Sequence, residues 1–230
     1  MLDKARILTY GYDAYVVRKG VAGSNGLGDH ASDLLRDLTA DRTSCNAPSR
    51  PLIFVAHSLG GLVCKLAIIQ SRNNSDLVLC DIFRSAKGII FMGTPHRGSW
   101  IAYWAKMIVS ALALGKSMNV KLLDILRKDN QLLEFIQSEF ASMIRGPQRD
   151  GSLEVKCFFE ELPLCVLGKV VSKKSATFEG HDSISVHANH RDMVRFASAE
   201  ENGFKRFLGE LKKLLLKICK SNQQTRSDRS

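Results

Sequence analysis

The chain has 230 residues, 45% hydrophobic and 24% charged, a globular balance that excludes wholesale disorder, collagen and coiled coil. That length suits one α/β domain with a single sizeable core. The net charge of +10 suggests nucleic acid until it is counted by region. Residues 201–230 hold eight Lys/Arg against three acids, half of the excess, in an amphipathic helix with no groove-reading motif, so no nucleic-acid partner is expected.

In chain order, ARILTY at 5–10 reads as a short buried strand ended by Gly11, and the glycine-rich stretch after it as loop. Ala31, Leu34, Leu35 and Leu38 at helical spacing behind an acidic first turn predict a helix from Asp29 to Arg42. PLIFVAH predicts a strand and GLVCKLAIIQS a helix, with only SLG between them. A strand that runs straight into a helix marks parallel α/β architecture, because parallel strands need helical crossovers. A short helix near 79–85 leads into the strand GIIFMG at 88–93.

Residues 99–145 read as largely helical with a break at Gly115. The most apolar stretch, 101–115, contains Lys106 and falls short of the roughly 20 residues that span a bilayer, so it reads as a buried or site-covering helix. VKCFFEE at 155–161 and ISVHA at 184–188 predict strands, and ANHRDMVRFAS predicts the start of a helix. The last helix, FKRFLGELKKLLLKICK, carries Phe204, Phe207, Leu208, Leu211, Leu214, Leu215 and Ile218 in a stripe expected to cap the domain, with lysines that could meet a membrane surface. One domain over 1–220 and a disordered polar tail over 221–230 are expected.

Six cysteines (Cys45, Cys64, Cys80, Cys157, Cys165, Cys219) are scattered without CxxC or CxxH spacing, which predicts free thiols in a reducing compartment and no metal site. No Walker or GxGxxG loop is present, so no cofactor is expected. Asp3, Lys4 and Arg6 interrupt the position where a secretory signal needs an apolar run, which predicts an intracellular, cytoplasmic chain.

The strongest chemical signal is AHSLGG at 56–61, at the junction of strand and helix. A serine on so sharp a turn holds its hydroxyl above the sheet, and the N–H of the next residue, Leu59, points to the same spot as an oxyanion donor. Ala56 stands at the first position of G-x-S-x-G, with Gly60 and Gly61 behind. Ser58 needs a base within hydrogen-bond reach and a carboxylate to orient that base. With chain order Ser, acid, His, the histidines His30, His57 and His96 come too early. His190, on a loop after the last strand, is favoured over His187 and His181. Among the acids, Glu160 at the end of VKCFFEE is favoured over Glu161 and Asp182; alternate strand residues face opposite sides, so only one of the two glutamates can point inward.

In order along the chain, RILTYGYDA, FVAHSLGGLVCKLAI, GIIFMGTPHRGS, FFEELP, VVSKKSAT and HANHRDMVRF resemble the serine active site-containing (SERAC-type) α/β-hydrolase family. That family is related to lipase-like and glycosylphosphatidylinositol-deacylase-like proteins, and in fungi such domains stand at the N-terminus of NACHT, ankyrin or TPR proteins. The resemblance covers about residues 5–200 and implies an α/β-hydrolase fold, a mostly parallel sheet flanked by helices. It further implies Ser58 as nucleophile, Glu160 as acid, His190 as base, an ester or lipid-like substrate, and association with mitochondrial or endoplasmic reticulum membranes. It also suggests that GTPHRGS at 93–99 lines the site rim, where a plain structural loop is the competing reading.

Family members usually carry one more apolar strand ending in a His-Gly loop that supplies a second oxyanion N–H. This chain begins after that position, so the first family strand is expected to be missing. Loss of one such donor costs roughly 100 to 1,000-fold in rate. Two functional readings follow: an esterase or lipase-like acyl hydrolase with a Ser-His-Glu triad, and a hydrolase-fold signalling or interaction domain with weak or no catalysis.

Overall fold

The computed structural model describes residues 5–11, 26–97, 130–146, 153–164 and 168–227. The expected helix at 101–115, the break at Gly115 and Cys165 lie outside the described residues.

The first helix, α1 (Leu27–Ser44), starts where the Gly26 N–H donates to the Asp29 carboxylate at 2.9 Å, and it buries Leu27, Ala31, Leu34 and Leu35 along one face. Strand β1 (Leu52–His57) turns at Ser58 into α2 (Gly60–Arg72). Helix α3 (Leu77–Ser85), whose first turn is capped by the Asp76 side chain accepting from the Val78 N–H, leads into β2 (Ala86–Met92). Then come α4 (Asn130–Arg145), β3 (Glu154–Glu160), the short α5 (Lys173–Ala176), β4 (Ser183–Val186) and α6 (Asn202–Ser227).

The four strands form one parallel sheet in the order β1-β2-β3-β4, with His57 opposite Met92, Met92 opposite Phe158, and Glu160 opposite Val186. The fold is therefore α/β, with the carboxyl ends of all four strands on one rim. Strand alternation divides the core into two layers. Ile89, Phe91, Val155 and Cys157 face α1–α4, while Ile90, Met92, Phe158 and Val186 face Leu214, Phe207 and Leu211 of α6. Leu214 of α6 is thus buried on the sheet, with Phe207 and Leu211 partly buried beside it. Ion pairs from Lys217 to Glu154 at 2.8 Å and from Lys156 to Glu210 at 3.2 Å flank it.

Three expectations change. Residues 5–11 form no strand: Ile7 is 87% exposed, and Arg6 reaches Asp41 at 2.7 Å and the Cys45 sulfur at 2.8 Å, so this segment is tied to the end of α1 and stands off the sheet. Residues 188–198 form turns rather than the start of a helix. There the Asn189 side chain accepts from the Arg191 and Asp192 N–H groups, a local turn that competes with helix, and Met193 is drawn into the core beneath the sheet rim. Helix α6 continues through Ser227, past Lys220, since SNQQTRS contains neither Gly nor Pro to stop it.

Lys65 lies wholly inside the first core layer, where its Nζ is 2.7 Å from both His96 Nδ1 and Gln137 Oε1. The rings of Phe91, Phe140 and Phe178 surround the ammonium at 5.1–5.2 Å from their centroids. Burial pushes the Lys65 pKa from 10.5 down to about 7. The unfolded chain therefore holds a proton between these values that the folded chain releases, and Lys65 makes stability rise with pH across that window. Lys65→Met removes this contribution. Thermal unfolding from pH 7 upward, below the thiol range near 9, is expected to show a shallower rise of Tm in Lys65→Met than in the native chain. An unchanged slope would place the Lys65 titration elsewhere.

Candidate active site

The site is assembled at the carboxyl rim from the ends of β1, β2 and β3 and the loop after β4. The β1–β2 ladder runs one bond beyond the strand, with the Ser58 N–H donating to the Met92 carbonyl at 3.0 Å. The chain then reverses into α2 with Ser58 at φ +54°, in the left-handed region where a non-glycine residue costs of order 1–3 kcal/mol. This is the strained strand-to-helix elbow that exposes a serine Oγ above a sheet. Gly61 is needed because a Cβ there would lie 2.2 Å from the Thr94 Oγ1.

His190 Nε2 lies 3.0 Å from Ser58 Oγ, and His190 Nδ1 lies 2.7 Å from Glu160 Oε2. The network fixes the tautomer: the Nδ1–H donates to the carboxylate, and Nε2 accepts from the serine hydroxyl. The other Glu160 oxygen, Oε1, accepts from the Val171 N–H at 3.0 Å and from the Val170 N–H. Ser58, His190 and Glu160 are 8%, 3% and 1% exposed, so the chain of bonds is shielded from water.

The acids named as alternatives sit elsewhere. Glu161 points to the opposite side of the strand from Glu160 and meets exposed His187 at 2.8 Å, which pulls the Glu161 pKa down, with the Ser185 hydroxyl the larger cause. Asp182 is exposed in the turn before β4, beside His181, whose pKa is lowered chiefly by burial. His96 is buried against Lys65 on the other face of the sheet, and burial drives its pKa well down.

Two residues from the sequence-based rim segment touch the triad directly. Gly93 has φ +60°, and a Cβ built on it would lie 3.0 Å from the His190 ring and 2.8 Å from the Met193 sulfur. The bare backbone there leaves room for the imidazole. Thr94, fully buried, donates its hydroxyl to the Ser58 carbonyl at 3.0 Å.

The sequence reading left out His57. Its Nε2 is 2.9 Å from the His190 carbonyl oxygen, and the two rings lie 4.9 Å apart. Burial, and after it the neighbouring His190, press the His57 pKa to about 4, so the neutral ring donates its Nε2–H to that carbonyl. The x of an elbow motif carries no sign of such a bond, which exists only once the loop after β4 has folded over β1. The Val170 and Val171 N–H groups were equally invisible, since backbone donors leave no mark in a sequence.

Comparison with known proteins agrees with the SERAC-type resemblance. No family model matches the chain. It is similar to Protein SERAC1 of Bos taurus, 30% identical over 169 residues that make up 72% of this chain and 24% of that protein. It is also similar to Protein SERAC1 of Homo sapiens, 27% identical over 81% of this chain and 27% of that protein, and of Danio rerio, 28% identical over 77% and 25%. The chain is thus homologous to part of these proteins and spans about a quarter of the length of the curated relatives it matches.

The packing at Gly93 gives a test that needs no substrate. Gly93→Ala is expected to lower folding stability by roughly 1–3 kcal/mol, through strain at positive φ and overpacking against His190 and Met193. Gly209→Ala in α6, where a Cβ meets nothing within 4 Å, is expected to raise it by roughly 0.5–1 kcal/mol. Urea unfolding of both variants checks the pair of signs.

Proposed function

We propose that this chain is a serine hydrolase acting on carboxylic esters, lipid-like acyl esters included, with Ser58 as nucleophile, His190 as general base and acid, and Glu160 as the orienting acid. The observation that carries the reading is the unbroken buried chain of hydrogen bonds from Ser58 Oγ through His190 to Glu160, at 3.0 and 2.7 Å. Homology to Protein SERAC1 supports a serine-hydrolase-like relative.

In this reading Ser58 Oγ attacks the ester carbonyl carbon as its proton passes to His190 Nε2. The imidazolium is held by Glu160, whose second oxygen is already engaged by Val170 and Val171. The Leu59 N–H, at the start of α2, faces the developing oxyanion, and none of the described residues accepts from it. Collapse of the tetrahedral intermediate expels the alcohol, which takes the proton from His190, and leaves an acyl group on Ser58. Water then attacks that acyl carbon as His190 removes its proton, and the acid departs with Ser58 restored. His57 serves this cycle by holding the backbone of the base, and it stays neutral above about pH 4.

Among the described residues no helix is long and apolar enough to cross a membrane. Contact with a lipid surface would run through the exposed lysines of α6, since Phe207, Leu211 and Leu214 are committed to the sheet.

A fluorophosphonate probe is expected to label the chain at Ser58 alone, and Ser58→Ala to abolish both labelling and hydrolysis of short activated esters. Glu160→Gln is expected to lower kcat by about 10³–10⁴-fold, because the amide cannot hold the imidazole in the working tautomer. A native chain that takes no probe and hydrolyses no ester would favour the non-catalytic scaffold.

A further inference from the structure

We infer that Thr94 is a positioning residue for the oxyanion donor: its hydroxyl holds the Ser58–Leu59 peptide in the rotation that aims the Leu59 N–H into the site. The inference rests on the hydrolase reading and deepens it.

A trans peptide is planar, with its C=O and N–H pointing in opposite directions. The carbonyl of Ser58 and the N–H of Leu59 belong to one such plane, so whatever fixes the oxygen fixes the direction of the hydrogen. Two donors reach that oxygen: the Thr94 hydroxyl at 3.0 Å and the Gly61 N–H at 3.1 Å. The Gly61 bond is local to the turn and forms within three residues of the elbow. The Thr94 bond comes from the loop after β2 and ties the elbow to the neighbouring strand end.

That tertiary bond matters because Ser58 sits at φ +54°, a conformation its own backbone disfavours. Strained residues persist where their surroundings over-determine them. Thr94 is 0% exposed and seated against the bare Cα of Gly61, where any side chain at 61 would displace it. Its hydroxyl therefore has a fixed address. A donor on the carbonyl also polarises the peptide and strengthens its N–H as a donor, in the manner of hydrogen-bond chains in a dry interior.

The oxyanion carries its full charge only in the transition state and tetrahedral intermediate. A misaimed Leu59 N–H should thus lower kcat and leave ground-state binding alone. Thr94→Val keeps the shape and deletes the hydroxyl; Thr94→Ser keeps the hydroxyl and deletes the methyl.

With p-nitrophenyl butyrate as substrate, T94V is expected to show kcat lower by roughly 10-fold, a fraction of the loss for a whole oxyanion donor, with KM changed less than twofold. T94S should recover most of the rate. In the free chain, the Leu59 amide proton, read by proton–nitrogen correlation NMR, should move upfield in T94V and return in T94S. Native kcat in T94V, equal defects in T94V and T94S, or a Leu59 amide that does not move each overturns the inference while Ser58 hydrolysis stands. A native chain that takes no fluorophosphonate sinks the hydrolase reading instead. The Leu59 amide then still decides whether Thr94 holds the peptide, with a shift supporting the inference and its absence overturning it.

Discussion

A carboxylate that is 1% exposed cannot be left to itself, and the satisfaction of Glu160 organises the whole rim of the sheet. Three donors meet it: His190 Nδ1–H on one oxygen, and the Val170 and Val171 N–H groups on the other. They come from two different parts of the chain. The Val170–Val171 backbone must double back over the end of β3, and the loop after β4 must bring His190 across β3 to β1. Backbone bonds from the Glu161 and Leu162 N–H groups to the Val186 and Ala188 carbonyls hold that second loop in place. The buried acid and the position of the base are one structural fact.

The nucleophile is held from the neighbouring strand in the same way. Ser58 cannot relax from its left-handed turn while its N–H is on Met92, its carbonyl on Thr94 and Gly61, and its hydroxyl on His190. The loop that supplies Thr94 is itself anchored two residues later, where the His96 N–H reaches the Ser175 carbonyl and the His96 ring meets Lys65. Lys65 belongs to α2, the helix that starts at the elbow. The polar cluster on the far face of the sheet therefore connects the nucleophile's helix, the loop carrying Thr94 and the segment beside Val170–Val171. Buried polar networks of this kind fix one arrangement among many similar ones.

The open face of the sheet is closed by α6, whose burial of Leu214 and packing of Phe207 and Leu211 account for the apolar stripe that a basic helix would otherwise expose. The lysines between those residues stay outward, Lys217 on Glu154 of the sheet and Lys213 on Glu210 of α6 itself. The high positive charge of the C-terminal region is compatible with a plain packing role for that reason. Charge counts describe a surface and say little about which face is free.

By itself the sequence determined the α/β class, β1, β2, β3 and β4 to within about two residues, and a set of polar residues in the order serine, acid, histidine. It could do so because apolar periodicity and strand-to-helix junctions are local properties, readable within a window of a few residues. Glu160, the last residue of β3, meets His190, while the adjacent Glu161 meets His187. What depended on the tertiary structure was everything a neighbour decides. ARILTY has the composition of a strand, yet pairing needs a partner edge, and Arg6 instead ties it to Asp41 and Cys45. HANHRDM has the composition of a helix start, yet Asn189 closes an Asx turn and Met193 is pulled under Gly93, so the segment stops after one turn. The bonds of His57 to His190 and of Thr94 to Ser58 join residues 133 and 36 positions apart, and no pattern in the chain could foretell contacts that only the folded sheet brings within 3 Å.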